Sequence, residues 1–182
     1  MFARLASDGK DNKKMKMISL RRSMIVCLLS AFLVVLPLHS FERSIYPPVE
    51  AAKGDIASAI NKASAEKKNI LLDFGGDWCG DCQALDIYMH RPESIKILDA
   101  NFILVHINVG HIDANLDVAE KYGIPLNKGV PALAVLDSHG KLLYSQKNGE
   151  FESMRRMDPD SVHRFLIEWK PTRPCSVVLV NC

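Results

Sequence analysis

Asn69-Ile70-Leu71-Leu72-Asp73-Phe74-Gly75-Gly76-Asp77-Trp78-Cys79-Gly80-Asp81-Cys82 is the stretch that decides the reading of this chain. Residues 70–74 form a short apolar run of strand formers, interrupted by one acid and ended by a glycine pair. Beyond the glycines stand Trp78 and two cysteines spaced C-x-x-C. Leu85, Met89, Ile95 and Leu98 then recur at helical intervals. A strand that stops at a C-x-x-C opening a helix suits thiol chemistry. The helix N-terminus offers unpaired N–H groups and partial positive charge, which stabilise a thiolate on the first cysteine. The second cysteine, one turn in, is placed to attack a mixed disulfide made by the first. Asp73, in the middle of an apolar strand, is expensive to bury without a task or a partner.

Working outward, residues 55–68 put Ile56, Ile60 and Ala63 on one face of an amphipathic helix. Pro92 interrupts the pattern after the cysteines and predicts a kink or restart near residues 91–93. Residues 102–109 read as a second buried strand, and the helix before it implies parallel pairing with the first. Residues 115–122 make a short helix stopped by Gly123. Residues 131–136 and 142–146 read as two further strands joined by Ser138-His139-Gly140. Asp158-Pro159 opens a last helix that buries Val162, Phe165, Leu166 and Trp169. The sum is an α/β domain, a central four-stranded mixed sheet flanked by helices on both faces.

These residues resemble the thioredoxin family, whose pattern is an apolar strand holding one Asp, followed by Trp-Cys-Gly-x-Cys. Asp73 lies six residues before Cys79, the spacing that family uses for its buried acid. The resemblance covers roughly residues 55–169 and implies the thioredoxin fold. It implies Cys79 as the attacking thiol, Cys82 as the resolving thiol and Asp73 as the buried proton acceptor. It also implies a cis Val130–Pro131 bond against the C-x-x-C, with Val130 offering backbone groups to a substrate strand. Without the resemblance a cis bond there is expected in only about 5% of cases. Trp78 then reads as a rim of the substrate surface. His106 stands where thioredoxins carry a lysine near the acid. We expect a neutral core histidine there, with a pH-sensitive partner for Asp73 as the sharper reading. Asp81 replaces the proline common between the cysteines. An acid next to Cys79 disfavours its thiolate and biases the pair toward donating electrons. Asn127-Lys128-Gly129 lengthens the loop before the proline relative to the family pattern.

The chain has 182 residues, enough for a leader and one domain with a sizeable core. Residues 41–182 hold 16 Lys/Arg and 19 Asp/Glu, a net −3, which excludes a basic nucleic-acid binder. Lys13, Lys14, Lys16, Arg21 and Arg22 precede an apolar run over residues 24–38, the pattern of a signal peptide with cleavage after Ser40. An uncleaved anchor over residues 24–38 is the rival reading. The division is a leader at 1–40, a Pro47-Pro48 linker at 41–54, the thioredoxin-like domain at 55–170 and a tail at 171–182. Cys27 falls in the leader. Cys175 and Cys182 flank Val177-Val178-Leu179-Val180, which suits either a strand closed by a local disulfide or a disordered end. A zinc site lacks a second close ligand pair, and Gln83 stands where haem attachment needs histidine.

The expectation is an exported thiol–disulfide oxidoreductase acting on protein disulfides, a monomeric reductase in a bacterial periplasm. It would use no metal and no cofactor beyond the Cys79–Cys82 couple, and a membrane electron donor would re-reduce it. A disulfide oxidase or isomerase is the alternative within the same chemistry. A non-catalytic binding or metal-delivery module is the alternative outside it. The intact Trp-Cys-Gly-Asp-Cys argues against that last reading, since holding a client needs no pair of thiols.

Overall fold

The computed structural model describes residues 44–172, and within them strand β1, Asn69–Gly75, is buried along all seven residues. A strand covered on both faces reads as a near-continuous apolar run, which is what residues 70–74 present. Around it, in chain order, stand helix α1 (Ala52–Glu66), β1, α2 (Gly80–Met89), α3 (Pro92–Asn101), β2 (Phe102–Asn108), α4 (Leu116–Lys121), β3 (Ala132–Leu136), β4 (Leu142–Ser145) and α5 (Asp160–Trp169). The sheet order is β2-β1-β3-β4. β1 and β2 run parallel, and β3 is antiparallel to both β1 and β4. The mixed four-stranded sheet matches the expectation.

Alternation along β1 sorts the core into two clusters. Ile70, Leu72 and Phe74 join Ile56, Ala59 and Ala63 of α1 and Val118 and Ala119 of α4. Leu71 joins Leu85 and Met89 of α2, Leu98 of α3, and Val162, Phe165 and Leu166 of α5. Each fully buried Leu or Phe contributes about 1.5–3 kcal/mol, so helices are held on both faces. Asp73 falls in the same phase as Leu71, and the register sets it opposite His106 of β2 and Leu133 of β3. That register builds the site.

Pro92 does end one helix and start another. Arg91 takes the extended conformation favoured before proline, and Pro92 opens α3, where its missing N–H costs nothing. Pro159 is already helical in conformation, and Asp158 Oδ1 accepts the Asp160 N–H at 3.1 Å, so the last helix begins as the sequence implies.

The linker reading of residues 41–54 needs correction in its described part. A 3₁₀ turn at Val49–Ala51 leads directly into α1, which starts at Ala52 rather than 55. Tyr46 is 3% exposed and belongs to the first cluster, with Ile45 packed beside it. A tyrosine ring is a large apolar group with one polar end, and here both ends find partners. The leader, Cys27, Cys175 and Cys182 lie outside the described residues. Among the described residues no helix is long and apolar enough to cross a membrane.

Candidate active site

β1 ends at Gly75, and the chain turns so that Cys79 caps α2. Its N–H donates to the Gly76 carbonyl at 3.0 Å, and its sulfur accepts the Cys82 N–H at 3.1 Å. The sulfur thus takes the place of a capping oxygen at a helix N-terminus, where negative charge is favoured. Cys79 and Cys82 form a disulfide with Cα atoms 5.2 Å apart. Cys79 Sγ lies 3.5 Å from the Val130 carbonyl oxygen, and the Val130–Pro131 bond is cis, as the resemblance implies. Trp78 is 49% exposed beside Cys79. Its Nε1 donates to the Gly110 carbonyl at 2.6 Å, and its ring stacks on His111. A flat aromatic held this way suits contact with a peptide strand lying on the cysteine.

Asp81 does not stand as the uncompensated acid that its place beside Cys79 suggests. Its Oδ1 accepts the Arg155 backbone N–H at 2.8 Å, and its Oδ2 pairs with Arg155 Nη2 at 2.9 Å. The Arg155 side-chain hydrogen bond is the main reason the Asp81 carboxyl sits below the usual range. The guanidinium lies over Gly80, where an added Cβ would come within 3.2 Å of Nη1. A cation therefore covers the turn between the two cysteines and offsets the acid.

On the inner side, Cys82 is fully buried, and so is Asp73. Asp73 Oδ2 accepts the Tyr46 hydroxyl at 2.8 Å and His106 Nδ1 at 2.9 Å. Asp73 Oδ1 is buried without a hydrogen-bonding partner among the described residues. A Cβ on Gly75 would collide with the Tyr46 hydroxyl and would lie 2.8 Å from Cys82 Sγ. Only glycine leaves that space open, with the phenol and the resolving sulfur both bordering it. Burial, then the charge and hydrogen bond of Asp73, push the Tyr46 hydroxyl far above its ordinary value and keep it protonated. Burial works against the His106 imidazolium, but the hydrogen bond and charge of Asp73, with Asp86 and Asp77 beyond, outweigh it and raise its value. The neutral core histidine is thus corrected to the sharper reading, a titrating partner of Asp73.

The Thioredoxin-like family model matches residues 51–138 of the chain. The crystal structure of a disulphide isomerase from Xylella fastidiosa Temecula1 superposes with a TM-score of 0.66. It is 31% identical, over 70% of this chain and 97% of that one. The chain belongs to the thioredoxin-like family of disulfide oxidoreductases and isomerases. A curated relative, protein disulfide isomerase-like 2-2 of Oryza sativa subsp. japonica, is 34% identical over 68 residues, 37% of this chain. The chain spans only 17% of that protein's length. The fold described above is the thioredoxin fold.

Within this thioredoxin-like site the structure brings together Cys79, Cys82, Trp78, Val130 and Pro131 on one side and Asp73 on the other. Three side chains that border the site escape a reading of the sequence. Tyr46 was hidden by its place before Pro47-Pro48. Arg155 lies in a 3₁₀ turn, Met154–Arg156, 73 residues beyond Cys82, with only an Arg pair to mark it. Asp77 carries no motif that marks a role. Its Oδ2 accepts Ser44 Oγ at 2.6 Å, and its Oδ1 accepts the Ile45 and Tyr46 N–H groups at 2.8 and 3.2 Å. Burial opposes its ionisation, yet these hydrogen bonds hold the Asp77 carboxyl below its ordinary range. The spacing Asp77-x-Cys79 was the one readable signal for that clamp.

Proposed function

We propose that this chain is an exported protein-disulfide oxidoreductase whose dithiol opens disulfides in protein substrates. The Cys79 thiolate attacks one sulfur of a substrate disulfide. The other substrate sulfur leaves as a thiolate, and a Cys79–substrate mixed disulfide forms. Cys82 gives up its proton, attacks Cys79 Sγ and expels the second substrate thiolate, which takes a proton from solvent. Two electrons pass from the cysteine pair to the substrate, and the Cys79–Cys82 disulfide remains. Asp73 receives the Cys82 proton. The observation that carries this reading is Cys79 capping α2 with its sulfur 3.5 Å from the Val130 carbonyl, beside the exposed Trp78.

Export rests on the basic residues 13–22 and the apolar run 24–38. An exported reductase needs a membrane electron donor, because cytosolic reductants do not reach an oxidising compartment. The direction of electron flow has two readings. The reductase reading loses the support of Asp81, which Arg155 offsets. A cation over Gly80 favours the Cys79 thiolate and hence the isomerase range, in line with the similarity to the disulphide isomerase of Xylella fastidiosa Temecula1.

Reduction of insulin disulfides by dithiothreitol, followed by turbidity, tests the activity itself. The wild-type chain accelerates the reaction and Cys79→Ser does not; equal rates with and without wild-type protein contradict the proposal. Equilibration with glutathione separates the two directions. A potential near roughly −230 mV or lower marks the reductase, and about −180 to −120 mV marks the isomerase or oxidase.

A further inference from the structure

We propose that Tyr46 relays the proton of Cys82 to Asp73, and that His106 passes it on to an open cleft between α1 and β2. The inference rests on the oxidoreductase reading above and gives its proton a route. The Tyr46 hydroxyl and Cys82 Sγ converge on the space above Gly75, and the same hydroxyl donates to Asp73 Oδ2 at 2.8 Å. Asp73 Oδ2 also accepts His106 Nδ1 at 2.9 Å, and since a carboxylate only accepts, that nitrogen carries the hydrogen. His106 is the member of the chain that reaches the surface. Its side chain is 18% exposed, against none for Asp73. It lines a cleft of about 310 Å³ with Pro47, Asp55, Ser58 and Lys62. A buried acid with no outlet would hold its proton and stop after one turnover, whereas this one is connected at both ends.

The step balances without a further reactant. In the mixed disulfide, the Cys82 thiol gives its proton to the Tyr46 oxygen while the Tyr46 hydroxyl proton moves to Asp73 Oδ2. Tyr46 ends as it began, a neutral phenol. The new Cys82 thiolate attacks Cys79 Sγ, the Cys79–substrate S–S bond breaks, and the substrate leaves as a thiolate. For Asp73 to lose its proton, the neutral His106 ring first exchanges its hydrogen with cleft water so that Nε2 carries it; Nδ1 then takes the Asp73 proton as Nε2 releases its own to water. The phenol suits this part because burial and the neighbouring carboxylate keep it protonated, so it passes a proton only when it receives one. The clamp of Asp77 on residues 44–46 fixes the hydroxyl in place, which ties the loop before the cysteines to the relay.

The test uses the full chain with Cys27→Ser, Cys175→Ser and Cys182→Ser, reduced and mixed rapidly with 5,5′-dithiobis(2-nitrobenzoate). The first coloured thiolate reports attack by Cys79, and the second reports resolution by Cys82. Tyr46→Phe keeps the ring and removes the hydroxyl. The expected result is an unchanged first phase and a second phase slowed about tenfold or more, its rate now rising steadily with pH as solvent takes the proton. A second phase of wild-type rate and pH profile overturns the relay, and so does equal slowing of both phases, which would make Tyr46 a packing residue. His106→Gln keeps a donor to Asp73 without a titrating ring. It should leave the first cycle intact and slow steady-state turnover severalfold; wild-type turnover would overturn the exit through His106. A wild-type chain that never forms the mixed disulfide removes the oxidoreductase reading and the relay with it. A cycling wild type beside an unaltered Tyr46→Phe removes the relay alone.

Discussion

Cys79 and Cys82 sit 5.2 Å apart at Cα, yet they belong to different regions of the molecule. Cys79 faces a surface made by Trp78, the Val130 carbonyl and the Arg155–Asp81 pair. Cys82 faces a buried chain of Tyr46, Asp73 and His106. Surface charges are screened and contribute modestly, whereas a polar group withdrawn from water is strongly felt by its neighbours. The outer region therefore tunes how readily the first sulfur attacks and what it meets. On the proposed relay, the inner region decides whether the second sulfur can lose a proton at all.

The largest expected effect breaks the comparison altogether. Cys79→Ser abolishes insulin reduction, while Cys82→Ser allows attack but traps the mixed disulfide, visible as a covalent adduct on non-reducing gels. Next comes Asp73→Asn, which keeps the shape and removes the acceptor. It should slow resolution by roughly 10²-fold or more in the two-phase thiol assay, with the first phase unchanged.

Smaller effects sharpen the outer side. Arg155→Ala leaves Asp81 unpaired beside Cys79, so alkylation of Cys79 should slow and the potential should fall by about 30 mV for each tenfold change in the redox equilibrium. Adding Asp81→Asn to that variant should restore the wild-type potential; if it does not, the guanidinium acts by another route. Trp78→Ala should raise KM for a protein substrate by about threefold to tenfold, the worth of one aromatic contact, with kcat unchanged.

The smallest effect is on stability. His106 binds its proton more tightly folded than unfolded, so its contribution is full below its ordinary value of 6.5 and is lost as pH rises through the raised folded value. The groups that face it are Asp73, Asp77, Asp86 and Tyr46, with Asp55 and Lys62 in the cleft. Urea midpoints should fall over that window in the wild type and stay flat in His106→Gln. Asp77, depressed by its hydrogen bonds, should act in the opposite direction and lose its contribution as pH falls through the carboxylate range.

The outer region was legible in the sequence because its parts are contiguous. Trp-Cys-Gly-x-Cys, the strand before it and the family's proline lie where one-dimensional patterns can be matched. Asp73 was legible too, as an acid out of place in an apolar strand. The inner region was not, because β1–β2 pairing assembles it across long separations. His106 is 33 residues from Asp73, and only the register shows that they face one another. Tyr46 is 27 residues on the other side, in a segment whose two prolines read as a linker. Asp81 misled for the same reason: its partner, Arg155, is 74 residues away, and a charge cannot be judged without its counter-charge.

The direct test of this division is to measure two rates in two variants of the full chain lacking the other cysteines. One rate is alkylation of reduced Cys79 by iodoacetamide, and the other is resolution of the mixed disulfide by Cys82. Arg155→Ala should change the first rate and leave the second, and Asp73→Asn should do the reverse. If either variant shifts both rates by the same factor, the two sulfurs share one environment and the account is wrong.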